Sequence, residues 1–141
     1  MTTFYFDTET YPIRPGLLAP SLVCLQYTFD DAPPKIALAD EAAAGFVAAM
    51  ESGSVMVAHN MAYDLAVLAA HDESLIQPIF RMLAEGRAQD TMILETLKAI
   101  AEGTLDFRRK KKGEFALGTL AERYAGMTLD KGEESWRLRY A

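Results

Sequence analysis

The sequence predicts an α/β fold in which a mixed sheet is flanked by helices. Three β-favouring runs come first, and helical and strand patterns then alternate along the chain. Consecutive strands favour an antiparallel meander, whereas strands separated by helices favour parallel pairing. Hydrophobic residues make up 50% of the 141 residues and charged residues 24%. This composition is ordinary for a globular protein and predicts one compact domain over residues 1–141.

The first three predicted strands are short and apolar. Residues 3–6 form a buried strand that ends at Asp7, residues 22–29 form the second strand, and residues 35–39 form the third. Proline and glycine residues separate the first two runs, and aspartate and proline residues separate the second from the third. These residues interrupt regular structure, so three separate antiparallel strands are expected.

Helical patterns alternate with strands in the rest of the chain. An alanine-rich helix is predicted over residues 40–51, with Asp40 as its cap. Residues 55–58 are predicted to be a buried strand and residues 87–90 a brief extended piece. Asp90, with Thr91, is expected to cap a helix rather than to bind metal. The remaining predicted helices cover residues 61–70, 76–85, 91–102 and 117–124, and the last is stopped by Gly126.

The net charge of −6 argues against a protein that coats nucleic acid, because phosphate neutralisation requires lysine and arginine. It is compatible with an enzyme that handles phosphate through divalent metal ions. No apolar run reaches the length of a membrane span, and no secretory signal is evident, so no membrane association is expected. Cys24 is the only cysteine. A buried, inert thiol in a cytoplasmic protein is therefore expected.

Two carboxylates lie two residues apart at the end of the first predicted strand. In an extended chain, Asp7 and Glu9 point to the same side. Like charges this close repel each other unless a cation lies between them. Oxygen ligands of this kind suit Mg²⁺ or Mn²⁺. A solvated acidic turn is the alternative interpretation of this motif taken alone.

A second motif begins where the strand at residues 55–58 ends. Asn60 and Asp64 are four residues apart, which places them on one face of a helix. Ligand sites in α/β sheets gather at such strand ends. Taken alone, Asn60 is better explained as a helix cap and Asp64 as a surface acid than as parts of a ligand site.

Together the two motifs resemble the DEDD superfamily of 3′→5′ exonucleases, most closely the proofreading domains of bacterial and phage family A DNA polymerases. Asp7-Thr8-Glu9-Thr10 resembles the first motif of that family. Residues 60–64, with Tyr63 before the aspartate, resemble the second motif. Residues 117–124 and 129–131 resemble the stretch that leads into the third motif. The resemblance covers nearly the whole chain.

The resemblance implies an RNase H-like fold and hydrolysis of nucleotides from the 3′ end of single-stranded or frayed DNA. It implies two divalent metal ions, Mg²⁺ or Mn²⁺, in a complete site. Asp7 is then expected to bridge the two metals, Glu9 to bind the first metal, and Asp64 to act on the second metal through water. The expected activity is proofreading during DNA replication.

The resemblance also implies a set of substrate-binding residues. Those within or beside the motifs are Thr8, Thr10, Asn60, Tyr63 and Lys131. Separately, Arg108 and Arg109 begin an unbroken basic run over residues 108–112, which suits phosphate contacts. A solvated loop tip is the alternative explanation of the basic run, and an exposed lysine in a tail is the alternative for Lys131.

The chain departs from the family at the third motif, which is Tyr-x-x-x-Asp or His-x-x-x-x-Asp on a later helix. Tyr124 is followed at the fourth position by Thr128, and Tyr140 is followed only by Ala141. The fourth carboxylate and the residue that orients water are therefore not found. We expect a fragment that is cut before the final helix and has little activity as given.

Two other functions remain open on sequence grounds. One is an inactive exonuclease-like module that binds nucleic acid or protein, which the missing third motif would suit. The other is a 3′→5′ exoribonuclease of the same superfamily, because the motifs do not distinguish DNA from RNA. Whether a polymerase domain follows in the full-length protein also stays open.

Overall fold

A computed structural model of the protein describes residues 2–17, 19–105 and 113–129. The chain divides into two compact units, Met1–Asp90 and Thr91–Ala141. The elements in chain order are β1 (Thr3–Thr10), β2 (Leu22–Phe29), β3 (Lys35–Leu38), α1 (Ala39–Glu51), β4 (Val55–Ala58), α2 (Met61–His71), a short 3₁₀ helix (Glu73–Leu75), α3 (Ile76–Ala84), β5 (Ala88–Asp90), α4 (Thr91–Ala101) and α5 (Leu117–Ala125).

The first unit is built on a five-stranded sheet in the order β3-β2-β1-β4-β5. Strand β1 lies at its centre and pairs antiparallel with β2 and parallel with β4. The β2–β3 pair is antiparallel, and the β4–β5 pair is parallel. The antiparallel meander and the mixed sheet predicted from the sequence are therefore confirmed.

The core lies on one face of this sheet. In β1, Phe4 and Phe6 are buried while Tyr5 is exposed, as the alternation of side chains along a strand requires. Phe46 of α1 packs over this strand, with its ring centroid 5.2 Å from Phe6 and 6.3 Å from Phe4. Aromatic rings at these separations bury a large apolar area. Helix α1 is held to the sheet by this cluster.

Two sequence predictions about element ends are wrong. Strand β1 does not end at Phe6 but continues to Thr10, because its pairing with β2 extends to the Thr10–Leu22 pair. Asp40 does not cap α1, which begins at Ala39 directly after β3 and has Leu38 in the cap position. Asp40 lies instead in the first turn, where a negative charge favours the helix dipole.

In the second unit, polar contacts join α4 to α5. The Glu95 carboxylate accepts hydrogen bonds from the Arg123 guanidinium at 3.0 Å and from the Tyr124 hydroxyl at 2.9 Å. Helix α5 ends at Gly126, which has a φ of 63°, as the sequence predicts. None of the described helices is long and apolar enough to cross a membrane.

The buried aromatic cluster should dominate the stability of the first unit. Phe46→Ala is expected to lower the free energy of unfolding by about 3–5 kcal/mol, since it removes a buried ring and leaves a cavity. Phe80→Ala on α3 is a matched control, because Phe80 is 64% exposed whereas Phe46 is 0% exposed. Urea unfolding measures both values. Equal losses would show that Phe46 is not part of the cooperative core.

Candidate active site

Asp7 and Glu9 share one face of β1, opposite to the face that buries the core. Asp7 is paired across the strands with Gln26, and Glu9 is paired with Cys24. Burial raises the pKa of the Cys24 thiol, and the carboxylates of Glu9 and Asp7 raise it further. The negative charge of both acids is therefore felt at one place on the sheet. This arrangement confirms the same-side placement predicted from their spacing.

Asp64 reaches β1 from α2, beyond the point where β4 ends. Strand β1 pairs with β4 only from Thr3 to Tyr5, so its second half runs past Ala58. There the Thr8 backbone N–H donates to Asp64 Oδ1 at 2.9 Å, and the Thr8 hydroxyl donates to the same oxygen at 2.6 Å. Because strand N–H groups lie in the plane of the sheet, the Asp64 carboxylate meets β1 edge-on.

The Asp64 carboxylate is buried, with only 2% of the residue exposed. Burial raises the pKa of this carboxyl group, although the two Thr8 hydrogen bonds act in the opposite direction. Within the described residues the ion pairs are Arg87–Glu85 and Arg123–Glu95, and neither involves Asp64. A buried carboxylate without a positive partner is costly. The two hydrogen bonds from Thr8 are the described contacts that offset this cost.

The start of α2 is capped in a way that the sequence did not predict. Asn60 occupies the cap position with φ 61° and ψ 45°, but its side chain makes no capping hydrogen bond, so the predicted cap is wrong. Asp90 caps this helix instead. Its carboxylate accepts hydrogen bonds from the backbone N–H of Asn60 at 3.2 Å and of Met61 at 2.8 Å.

The position of Asp90 follows from the sheet. Strands β4 and β5 are parallel, and Ala58 is paired with Asp90 at their ends. The carboxylate at the end of β5 therefore lies beside the chain that leaves β4 for α2. The sequence predicts that Asp90 caps a helix, and Asp90 does so, but only the strand pairing identifies α2 as a helix that it caps. The sequence signal for this cap is an acid at the end of a strand that is predicted to pair with β4.

Tyr63 provides a second link between the two motifs. Its hydroxyl lies 2.9 Å from the Thr10 hydroxyl at the end of β1, in hydrogen-bonding contact. Asp64 thus binds Thr8, and Tyr63 binds Thr10, two residues further along the first motif. The register between α2 and β1 is set by these contacts.

The structure brings some predicted site residues together and leaves others apart. Asp64 contacts Thr8, which is the residue between Asp7 and Glu9 in the sequence. The three carboxylates nevertheless do not form a preassembled metal cluster. No group of three or more histidine, cysteine, aspartate or glutamate side chains placed to hold a metal ion occurs among the described residues. The predicted substrate-binding residues Arg108, Arg109 and Lys131 lie outside the described residues.

One known protein family matches nearly the whole chain. A family model described as a 3′-5′ exonuclease, of the DNA polymerase A exonuclease type, matches residues 1–139. The chain belongs to this 3′-5′ exonuclease family. Its mixed sheet flanked by helices agrees with the RNase H-like fold expected of such exonucleases. Comparisons with curated proteins and with solved structures return no significant match.

A cleft elsewhere in this exonuclease domain contains none of the motif residues. It has a volume of about 110 Å³ and is lined by Val47, Met50, Glu51, Pro78, Arg81 and Arg87. The Arg87 guanidinium is already bound to the Glu85 carboxylate at 2.8 Å and to the Ser54 carbonyl at 2.9 Å. Its cationic group is therefore already bound to groups of the protein.

The burial of Asp64 predicts how the exonuclease domain responds to loss of this charge. In chelator at pH 7, Asp64→Asn should raise the melting temperature, because the amide oxygen still accepts both Thr8 hydrogen bonds without a buried charge. Asp64→Ala should lower the free energy of unfolding by about 1–3 kcal/mol, since the Thr8 N–H loses its partner.

The pH dependence of this effect follows from the direction of the pKa shift. Burial raises the folded-state pKa of Asp64 above its unfolded value. The cost of ionisation is therefore absent below the unfolded pKa, about 3.9, and complete above the folded pKa. The advantage of Asp64→Asn should shrink as the pH falls through this window. Melting curves across the acid range would contradict this account if the advantage stayed constant.

Removal of the Asp90 cap should destabilise the start of α2. Asp90→Ala is expected to lower the free energy of unfolding by about 1–2 kcal/mol, as loss of a helix cap does. Asp72→Ala is the control, because the exposed hydrogen bond that Asp72 accepts from the Ser74 N–H caps only the short 3₁₀ helix. Its loss should be smaller in the same urea titration. The reverse order would show that Asp90 does not hold α2.

Proposed function

We propose that this domain is a divalent-metal-dependent 3′→5′ exonuclease that removes nucleotides from single-stranded or frayed DNA ends, as in proofreading. The observation that carries the proposal is the Asp64 carboxylate held at 2.9 Å and 2.6 Å against Thr8, inside the Asp7-Thr8-Glu9 sequence. Membership of the 3′-5′ exonuclease family supports the same activity. The hydrogen bonds between Asp64 and Thr8 directly connect the two motifs on which the proposal rests.

The residues present suit a magnesium or manganese ion. Asp7 and Glu9 offer two carboxylates on one face of β1, and such oxygen donors are the ligands that these ions prefer. Asp64 is a buried carboxylate without a described cationic partner, which is the condition that a nearby metal ion relieves. We assign Asp7 and Glu9 as direct ligands and Asp64 as a ligand that acts through water.

Bound divalent ions in this chemistry activate a water molecule and neutralise charge on the departing 3′ oxygen. The protein's own groups have the task of placing the terminal phosphate at that point. Asn60 is exposed at the start of α2, and its amide is not used as a cap because Asp90 has that role. We assign Asn60, together with the hydrogen-bonded pair of Tyr63 and Thr10, to the positioning of the last nucleotide.

The metal requirement is testable with this chain as it stands. Mn²⁺ binding, measured by calorimetry, should weaken by at least about 100-fold in Asp7→Asn, because a direct ligand contributes more than the outer partners whose loss costs 10–100-fold. Asp40→Asn, which changes an exposed acid in α1, is the matched control and should bind Mn²⁺ like the wild type. Unchanged binding in Asp7→Asn would remove Asp7 from the metal site.

The activity should be assayed on the same proteins. A 5′-labelled single strand with Mn²⁺ should be shortened stepwise from its 3′ end, slowly because no third-motif aspartate was found, and not at all in chelator or in Asp7→Asn. Faster degradation of an RNA strand would favour the exoribonuclease alternative. Mn²⁺ binding without any cleavage by the wild type would favour the inactive binding module.

The basic run over residues 108–112, which lies outside the described residues, is proposed to contact phosphates. Replacing its five cations with glutamine should weaken binding to single-stranded DNA and flatten the dependence of affinity on salt. Each lost phosphate contact reduces the logarithmic salt slope by about 0.7. Arg81→Gln, on the exposed side of α3, is the control. An unchanged slope in the neutralised protein would make the run a solvated loop.

A further inference from the structure

Thr8 makes an unusual pair of contacts with Asp64. Its backbone N–H and its hydroxyl both donate to the same oxygen, Oδ1, at 2.9 Å and 2.6 Å. The two residues are 56 positions apart in the chain, so the contacts are a product of the fold. Both bonds are buried, with Thr8 only 6% exposed and Asp64 only 2% exposed.

The geometry of these bonds distinguishes the two carboxylate oxygens. Both donors end on Oδ1, so neither occupies Oδ2. The N–H lies in the plane of the sheet and the hydroxyl projects from the side chain, so the donors approach Oδ1 from different directions. Two donors in different directions restrict rotation of the carboxylate, whereas the N–H alone would leave it freer to turn.

We infer that Thr8 is a positioning residue that fixes the Asp64 carboxylate with Oδ2 directed away from β1, available to a metal ion or its bound water. The inference rests on the proposed function. Thr8 is not itself a metal ligand, because its side chain lies on the opposite face of β1 from Asp7 and Glu9. It acts through Asp64, as residues that orient metal ligands do.

The side chain of Thr8 therefore has a role beyond packing. Valine has nearly the same shape as threonine but lacks the hydroxyl, while serine keeps the hydroxyl and lacks the methyl group. Substitution by valine removes one of the two donors and keeps the backbone N–H. Substitution by serine keeps both donors. The two variants separate the orientation of Asp64 from the filling of space at this position.

The test measures Mn²⁺ affinity by calorimetry on the full chain, for Thr8→Val, Thr8→Ser and the control Thr28→Val. The control removes an exposed hydroxyl in β2 that donates to the Ala32 carbonyl at 2.6 Å. Thr8→Val should lose about 10–100-fold in Mn²⁺ affinity, the range for loss of a group that orients a metal ligand. Thr8→Ser should recover most of that loss, and Thr28→Val should match the wild type.

A double variant makes the inference specific to Asp64. In the Asp64→Asn background, Thr8→Val should cause little further loss of Mn²⁺ affinity, because the group that Thr8 orients has already been changed. Melting curves in chelator accompany each titration and identify any variant that is not folded. If Thr8→Val does not fold, Thr8→Ala replaces it: alanine differs from serine only by the hydroxyl, so Thr8→Ala should bind Mn²⁺ about 10–100-fold more weakly than Thr8→Ser, and equal affinities would overturn the inference.

The outcomes separate this inference from the proposed function. Thr8→Val that is folded and binds Mn²⁺ like the wild type, while Asp7→Asn does not bind it, overturns the role of Thr8 and leaves the metal site intact. Folded Thr8→Ser that binds as weakly as Thr8→Val also overturns it, because packing alone would then be decisive. Absence of Mn²⁺ binding by the wild type overturns both proposals.

Discussion

The candidate site depends on a difference in strand length at the centre of the sheet. Strand β1 continues to Thr10, whereas its parallel neighbour β4 ends at Ala58 and turns into α2. Beyond Tyr5, the edge of β1 next to β4 is open to groups from α2. The Asp64 carboxylate takes the Thr8 N–H that a longer β4 would have paired. At this site the Asp64 side chain therefore accepts a backbone hydrogen bond that a neighbouring strand would otherwise accept.

This replacement carries an electrostatic cost, because it buries an acid. An acid in this position is buried, and burial raises the pKa of Asp64 despite the two hydrogen bonds from Thr8. Asp7 and Glu9 add negative charge on the other face of the same strand. Repulsion among clustered acids is relieved by a cation or by protonation. In the proposed function, a divalent ion held by Asp7 and Glu9 would relieve the repulsion between these two acids.

The start of α2 is held by two strands, β5 and β1, which fixes where its polar residues lie. Asp90 at the end of β5 binds the first two N–H groups, and Thr8 and Thr10 of β1 bind Asp64 and Tyr63. The helix needs no side-chain cap of its own under these conditions. Asn60, the first residue of the second motif, has a left-handed backbone conformation and is exposed. One acid outside both motifs thus supports the geometry of the second motif.

The sequence by itself determined the mixed sheet, most of the element positions and the same-side placement of Asp7 and Glu9, because these follow from side-chain periodicity and local chain breaks. It could not determine the length of β1 relative to β4, the capping of α2 by Asp90, or the bonding of Thr8 to Asp64. Each of these features depends on residues that are distant in sequence. Strand order and register decide which of those residues lie side by side. Only the tertiary structure decides which polar groups meet when strands of unequal length end side by side.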